Sequence, residues 1–108
     1  MGLYQLNVKN KSLKVAIADT EALRYKGLSG SERLGRHKGM LFIFPDKAMI
    51  TMVMRDMNYD LDFILLDNHW KVIQLGSLGK DDVFGIRSES EVQMILEVNK
   101  GIIQEFDI

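Results

Sequence analysis

Two acidic residues stand where the chain is otherwise apolar. Asp62 lies between Leu61 and Phe63 and alternates with them to share the positions of Ile64 and Leu66, and Glu97 shares alternate positions with Ile95. Alternate side chains of a strand point to one face. Each carboxylate is therefore set on a largely apolar face, where it needs a partner or a raised pKa. Two such acids are the group types for general acid–base catalysis or for holding a hard cation. The same positions suit strand ends at which the acids pair with Arg55, Arg24 or backbone N–H groups and fix a loop. That structural role is the preferred reading, because buried ionic networks shift pKa values without doing chemistry. Asp62 and Glu97 stand as candidates only, and no catalytic residue is assigned.

The remaining reactive residue types carry less. Met49, Met52, Met54 and Met57 offer soft thioethers, which are ligands for Cu(I). On a strand only Met52 and Met54 point the same way, and the chain has no cysteine, so core or interface packing is expected of them. His37 and His69 lack zinc-type partner spacing. No serine stands in a strand–Gly-x-Ser-x-Gly–helix context, and Gly27 to Gly39 holds no phosphate-loop pattern. No metal and no cofactor are expected.

Binding candidates are mostly basic. The stretch from Arg24 to Lys38 carries Arg24, Lys26, Arg33, Arg36 and Lys38 against Glu32. It reads as a solvated basic loop able to touch phosphate or an acidic partner. Tyr25 alone is available there for base stacking, so no nucleic acid is expected. Arg55 joins this set, and Trp70, Tyr59 and Met57 in turns are apolar anchors for a protein contact.

The elements that position these residues follow from pattern. With 108 residues, 46% hydrophobic and 27% charged, the chain reads as one globular domain, residues 1–108, able to bury its own core. Leu6 and Val8, then Leu13, Val15 and Ile17, alternate with polar or small residues and predict two strands in a hairpin about Asn10-Lys11. Asp19 or Thr20 caps a two-turn helix that Gly27 stops. Met40 to Phe44 is a central strand apolar on both faces, ended by Pro45-Asp46. Met49 to Met54 is a second apolar strand. Leu61 to Leu66 and Trp70 to Leu75 form a hairpin, Gly76 to Ser90 a long polar loop, and Val92 to Val98 a last strand. Asn99 caps a short terminal helix holding Ile102, Ile103 and Phe106. About seven short strands and one or two short helices predict a mostly β domain, either a small barrel or two packed sheets.

The order of several motifs is familiar. Ala18-Asp19-Thr20 is followed by Arg24, Gly27-Leu28, and Gly39 through Pro45. Met54-Arg55, Leu61-Asp62-Phe63-Ile64 and Leu96-Glu97-Val98 complete the series. Over about residues 15 to 101 the chain resembles domain-of-unknown-function family 192, also known as uncharacterised protein family 0127. The resemblance implies a compact, mostly β, barrel-like fold with one helix near its start, and no established activity. Members occur in bacteria and archaea, often behind secretion signals, and in some tailed phages. The family usually reads Phe-Trp-Met-Lys-Asn-Thr where this chain has Met52 to Met57, and proline where it has Asp60.

The start of the chain alternates polar and apolar residues, without the apolar run of a signal peptide, and the longest apolar run is far too short to span a membrane. A cytoplasmic or virion location is expected, with no membrane partner. Residues 1–55 carry ten Lys/Arg against four Asp/Glu, and residues 56–108 four against eleven. These halves either compensate each other within one fold or give the molecule a basic and an acidic side suited to head-to-tail contacts. The leading expectation is a non-enzymatic module that binds a protein partner or its own copies, for example as a phage structural or accessory protein. The alternative is a small metal-dependent or hydrolase-like enzyme using Asp62 and Glu97.

Overall fold

The computed structural model describes residues 2–108. A six-stranded sheet runs in the order β1-β2-β3-β8-β5-β6, and a two-stranded sheet pairs β4 with β7. The strands are β1 (Tyr4–Val8), β2 (Lys11–Ala18), β3 (Lys38–Ala48), β4 (Thr51–Met52), β5 (Leu61–Leu66), β6 (Val72–Leu78), β7 (Ile86–Arg87) and β8 (Val92–Asn99). Two short helices, α1 (Glu21–Lys26) and α2 (Ile102–Glu105), complete the fold. The fold is mostly β, and the large sheet is open rather than closed into a barrel.

All pairs in the large sheet are antiparallel except β2–β3. Parallel neighbours need a crossover, and the crossover here carries α1. Thr20 starts that helix as its Oγ1 accepts from the Leu23 N–H at 3.2 Å, a cap typically worth about 1 kcal/mol. Gly27 ends it at φ 49°, its own N–H donating to the Leu23 carbonyl.

The sheet has a core on each face. Met40, Phe42, Leu61, Phe63, Leu65 and Ile95 pack on one face beneath Leu28, Met54, Tyr59 and the small sheet. Leu13, Val15, Leu41, Ile64, Leu96 and Val98 pack on the other beneath Ile102 and Phe106 of the α2 segment. Every residue of β5 is buried. β5, apolar but for Asp62, thus sits in the middle of two cores, and β3 is likewise flanked on both edges. Each fully buried Leu or Phe contributes about 1.5–3 kcal/mol to holding these layers together. Gly39 lets β3 and β8 approach closely, because a Cβ there would lie 2.6 Å from the Glu97 carbonyl oxygen.

Several boundaries differ from expectation. Pro45 does not end β3. The strand continues to Ala48, and the proline marks a break in the ladder, with Ile43 opposite Met94 but Ala48 opposite Val92. Proline has no N–H to donate, so pairing lapses there and resumes beyond it. Only Thr51–Met52 of the Met49 to Met54 stretch is strand, and its partner Ile86–Arg87 lies inside the segment read as a long polar loop. Two-residue strands are too short to show a period. β6 begins at Val72 and reaches Leu78, and Lys9–Asn10 rather than Asn10-Lys11 form the first turn, with Lys9 at φ 56°.

Candidate functional site

Glu97 points to the face covered by α1 and the small sheet, because β8 pairs it with Met40 of β3 on one side and Phe63 of β5 on the other. It lies on the floor of a cleft of about 140 Å³. Phe42, Phe44, Ile50, Met52, Met57 and Ile95 supply apolar walls, and Arg24, Lys26 and Arg55 supply cations. No described residue hydrogen-bonds or ion-pairs with the Glu97 carboxyl, and burial alone pushes it up to about 7. A carboxyl in an apolar hollow prefers its neutral form because the ion loses hydration without gaining a partner.

The groups around it are individually constrained. Arg24 donates from Nη1 to the Ile43 carbonyl at 2.9 Å and lies 5.1 Å from the centroid of the Phe44 ring. The Arg55 guanidinium lies 4.8 Å from the Tyr25 ring centroid. Tyr59 is buried, and its hydroxyl meets Ser31 Oγ at 2.9 Å. Burial raises the Tyr59 hydroxyl above the ordinary tyrosine range, the Ser31 bond opposes that, and the Glu97 charge adds to it. The arrangement places an acid without a protein partner at the floor and cations along the same cleft.

Asp62 occupies the opposite face. The register that sets Phe63 against Glu97 sets Asp62 against Val98, so adjacent residues of β5 diverge. Asp62 is 2% exposed. Its Oδ1 accepts from Ser77 Oγ at 2.5 Å, and its Oδ2 accepts from the N–H groups of Gly101 and Ile103 at 2.9 and 3.1 Å. The acid ties β5 to β6 and fixes the start of α2. Asn99 does not cap that helix. Gly101 holds the cap position, and the Asn99 amide donates instead to the carbonyls of Leu34 and Gly35 at 2.9 and 3.2 Å. The distant Asp62 takes over the task because the chain turns at Gly101, φ 104°, back across the end of β5. The two candidate acids therefore share no surface.

The other candidates are scattered. Arg33 and Arg36 line a hollow with Asn99, Lys100 and Glu105. Arg36 is already paired with Glu105 at 2.9 Å, and His37 meets the same carboxylate at 2.5 Å, so the acidic half of the chain partly neutralises the basic loop. Lys38 opens β3 beside Ser12 and Lys14. Trp70 stands in the β5–β6 turn at φ 66°, half exposed, over an apolar groove of about 430 Å³ between β1 and β5. Met52 and Met54 are buried in the core. Among the described residues no three His, Asp or Glu side chains gather closely enough to hold a metal ion. No described helix is long and apolar enough to cross a membrane.

Sequence reasoning missed the nearness of Glu97 to Tyr59, which long-range folding alone creates. It also missed Val83 and Phe84, 84% and 90% exposed. Their turn is pinned by Asp82 Oδ1, which accepts from the N–H groups of Phe84 and Gly85. The Asp-x-x-Gly spacing was the available signal.

The family profile that matches this sequence, over residues 4–108, is described as "Uncharacterized ACR". Two solved structures share the fold. A protein of unknown function from Novosphingobium aromaticivorans DSM 12444 aligns with TM-score 0.82 and 25% identity, over 90% of this chain and 70% of its own. A protein named as a candidate transcription regulator from Sinorhizobium meliloti 1021 aligns with TM-score 0.84 and 20% identity, over 98% of this chain and 84% of its own. No curated protein matches the sequence.

Proposed function

Because the chain belongs to domain-of-unknown-function family 192, which carries no assigned activity, the site must speak for the function, and we propose that the domain is a binding module whose ligand enters the Glu97 cleft. The observation that carries this reading is the Glu97 carboxyl, on the cleft floor with no protein partner. The carboxyl keeps some contact with solvent but has no donor from the protein, and a donor on a ligand entering the cleft would be its first fixed partner. A two-acid mechanism finds no support, since Asp62 and Glu97 face away from each other.

The test is an amide NMR titration with small carboxylates, amines and amino acids. Shifts confined to Gly27, Ser29, Val53 and Leu61 around the cleft support the reading. A panel that leaves all of these unmoved would sink it.

A second reading, self-association, is favoured by Val83 and Phe84. These apolar side chains project beside Asp81, while Arg24, Lys26 and Arg55 offer a complementary cationic surface on another copy. Light scattering at low and high salt, with Phe84→Ser, tests it. Dimers lost in high salt and in the variant support association, and a monomer throughout refutes it.

A further inference from the structure

The Glu97 cleft has two ends. Glu97 is opposite Met40 on β3, and Arg24 lies over Phe44, further along the same face of that strand. Four residues of extended chain separate those two positions, roughly 13 Å. Phe42, opposite Ile95, lies between them. The acid is therefore at one end and Arg24 toward the other, with Phe42 between, and Lys26 and Arg55 add cations to the lining.

That polarity selects among small ligands. A plain amine would pair with Glu97 but leave the cations of the lining without a partner. A plain carboxylate would satisfy the cations and leave the acid unpaired on the floor. A molecule carrying both charges, separated by methylenes, meets every one of these requirements. Building on the proposed binding cleft, we infer that it takes a small linear zwitterion of the ω-amino carboxylate class. Its carboxylate lies among Arg24, Lys26 and Arg55, its spacer on Phe42 and Ile95, and its ammonium on the Glu97 carboxylate.

The inference fixes the sign of a pH effect. Binding the ammonium requires ionised Glu97, whose carboxyl is held at about 7 when the cleft is empty. The titratable groups sharing the cleft with it are Arg24 and Lys26 from α1 and Arg55 from the segment before β5, and Tyr59 lies close to it. Beyond the rim, Arg87 of β7 donates to Thr51 Oγ1. Strands β3, β4 and β5 bring Phe42, Phe44, Thr51, Met52 and Leu61, which do not titrate. Arginine, lysine and tyrosine keep their charge states between about pH 6 and 8, as do the two ends of the ligand. Glu97 alone changes, so affinity rises with pH by about tenfold over that range.

Calorimetry with 6-aminohexanoate, hexanoate and hexylamine at pH 6 and pH 8 tests the inference. The expected result is that 6-aminohexanoate binds more tightly than either single-charge probe and gains about tenfold at the higher pH. Glu97→Gln should remove the pH gain and reduce 6-aminohexanoate to the level of hexanoate. Arg55→Ala should weaken both carboxylate probes and leave hexylamine no weaker. Hexanoate binding as well as 6-aminohexanoate, or affinity falling with pH, overturns the zwitterion while leaving the cleft a binding site. Silence from all three probes overturns the inference, and the proposed function goes with it if the NMR panel is silent too.

Discussion

Glu97 faces Phe63 across the β5–β8 ladder, while Asp62, one residue earlier on β5, turns to the opposite face. The two acids therefore sit in different cores and in opposite conditions. Asp62 is saturated with donors, and Glu97 has none from the protein. Each should answer its own mutation independently of the other.

Asp62→Ala should destabilise the domain by about 1–3 kcal/mol, because Ser77 Oγ and the N–H groups of Gly101 and Ile103 lose their acceptor in a buried place. Urea unfolding measures the loss, and amide exchange should quicken at Gly101 and Ile103. An unchanged midpoint would contradict the tie between β5 and α2.

Glu97 should make the domain less stable as pH rises. Its carboxyl goes from 4.5 ordinarily to about 7 in the fold, so the folded state holds the proton more tightly than the unfolded chain. Stability from this group is full below the ordinary value, declines as pH climbs toward the folded value, and is level above it. The linked change is about 3 kcal/mol. Denaturant unfolding from pH 4 to 8 should show this decline in the wild type and lack it in Glu97→Gln. Parallel curves for the two proteins would place the carboxyl in water.

Gly85→Ala should cost about 1–3 kcal/mol. Gly85 has φ 71°, and a Cβ there would meet the Met52 carbonyl oxygen at 2.2 Å. The β4–β7 pair must open to make room, which displaces Thr51 and Val53 from the cleft mouth. A thermal melt and the Val53 amide shift report both effects, and an alanine variant matching wild type in each would refute the close approach.

Glu105 should matter in acid. Its bonds with Arg36 and then His37 hold its carboxyl below the ordinary range. A lowered folded value means its contribution is present above about pH 4.5, the ordinary value, and is lost as pH falls through the lowered one. Glu105→Gln should lack that acid-side loss when melts are compared at about pH 3 and pH 6. Equal acid sensitivity in the two proteins would show that the pairing carries no weight.

The parts of this fold legible in the sequence are those with a period. The alternation of Leu13, Val15 and Ile17 marks the face of β2 that is covered, although Ala16 and Ala18 add contacts on its other face, and the run Leu61 to Leu66, apolar but for Asp62, marks a strand covered on both faces. Thr20 and Gly27 likewise announce the helix ends through chemistry local to each. The small sheet was hidden because two-residue strands carry no pattern. The site was half legible. Asp62 and Glu97 stood out as acids on apolar runs, and the backbone N–H partners foreseen for Asp62 are present. Their separation was not legible, because the face each acid takes depends on a register between strands some thirty positions apart. The same holds for Arg36, whose neutralising partner Glu105 arrives from the far end of the chain.

The position of β8 bears on how the chain is made. β8 lies between β3 and β5 in the sheet, yet it follows all the other strands in sequence. The hairpins β1–β2 and β5–β6 can close locally as soon as they leave the ribosome, but they remain two unjoined fragments until residues 92–99 emerge. Until then β3 and β5 each expose an unpaired apolar edge, the form of surface that recruits chaperones or aggregates. Folding is therefore a late event in synthesis, completed by insertion of one strand between two waiting halves, and a ribosome stalled before Val92 should hold a chain still sensitive to protease.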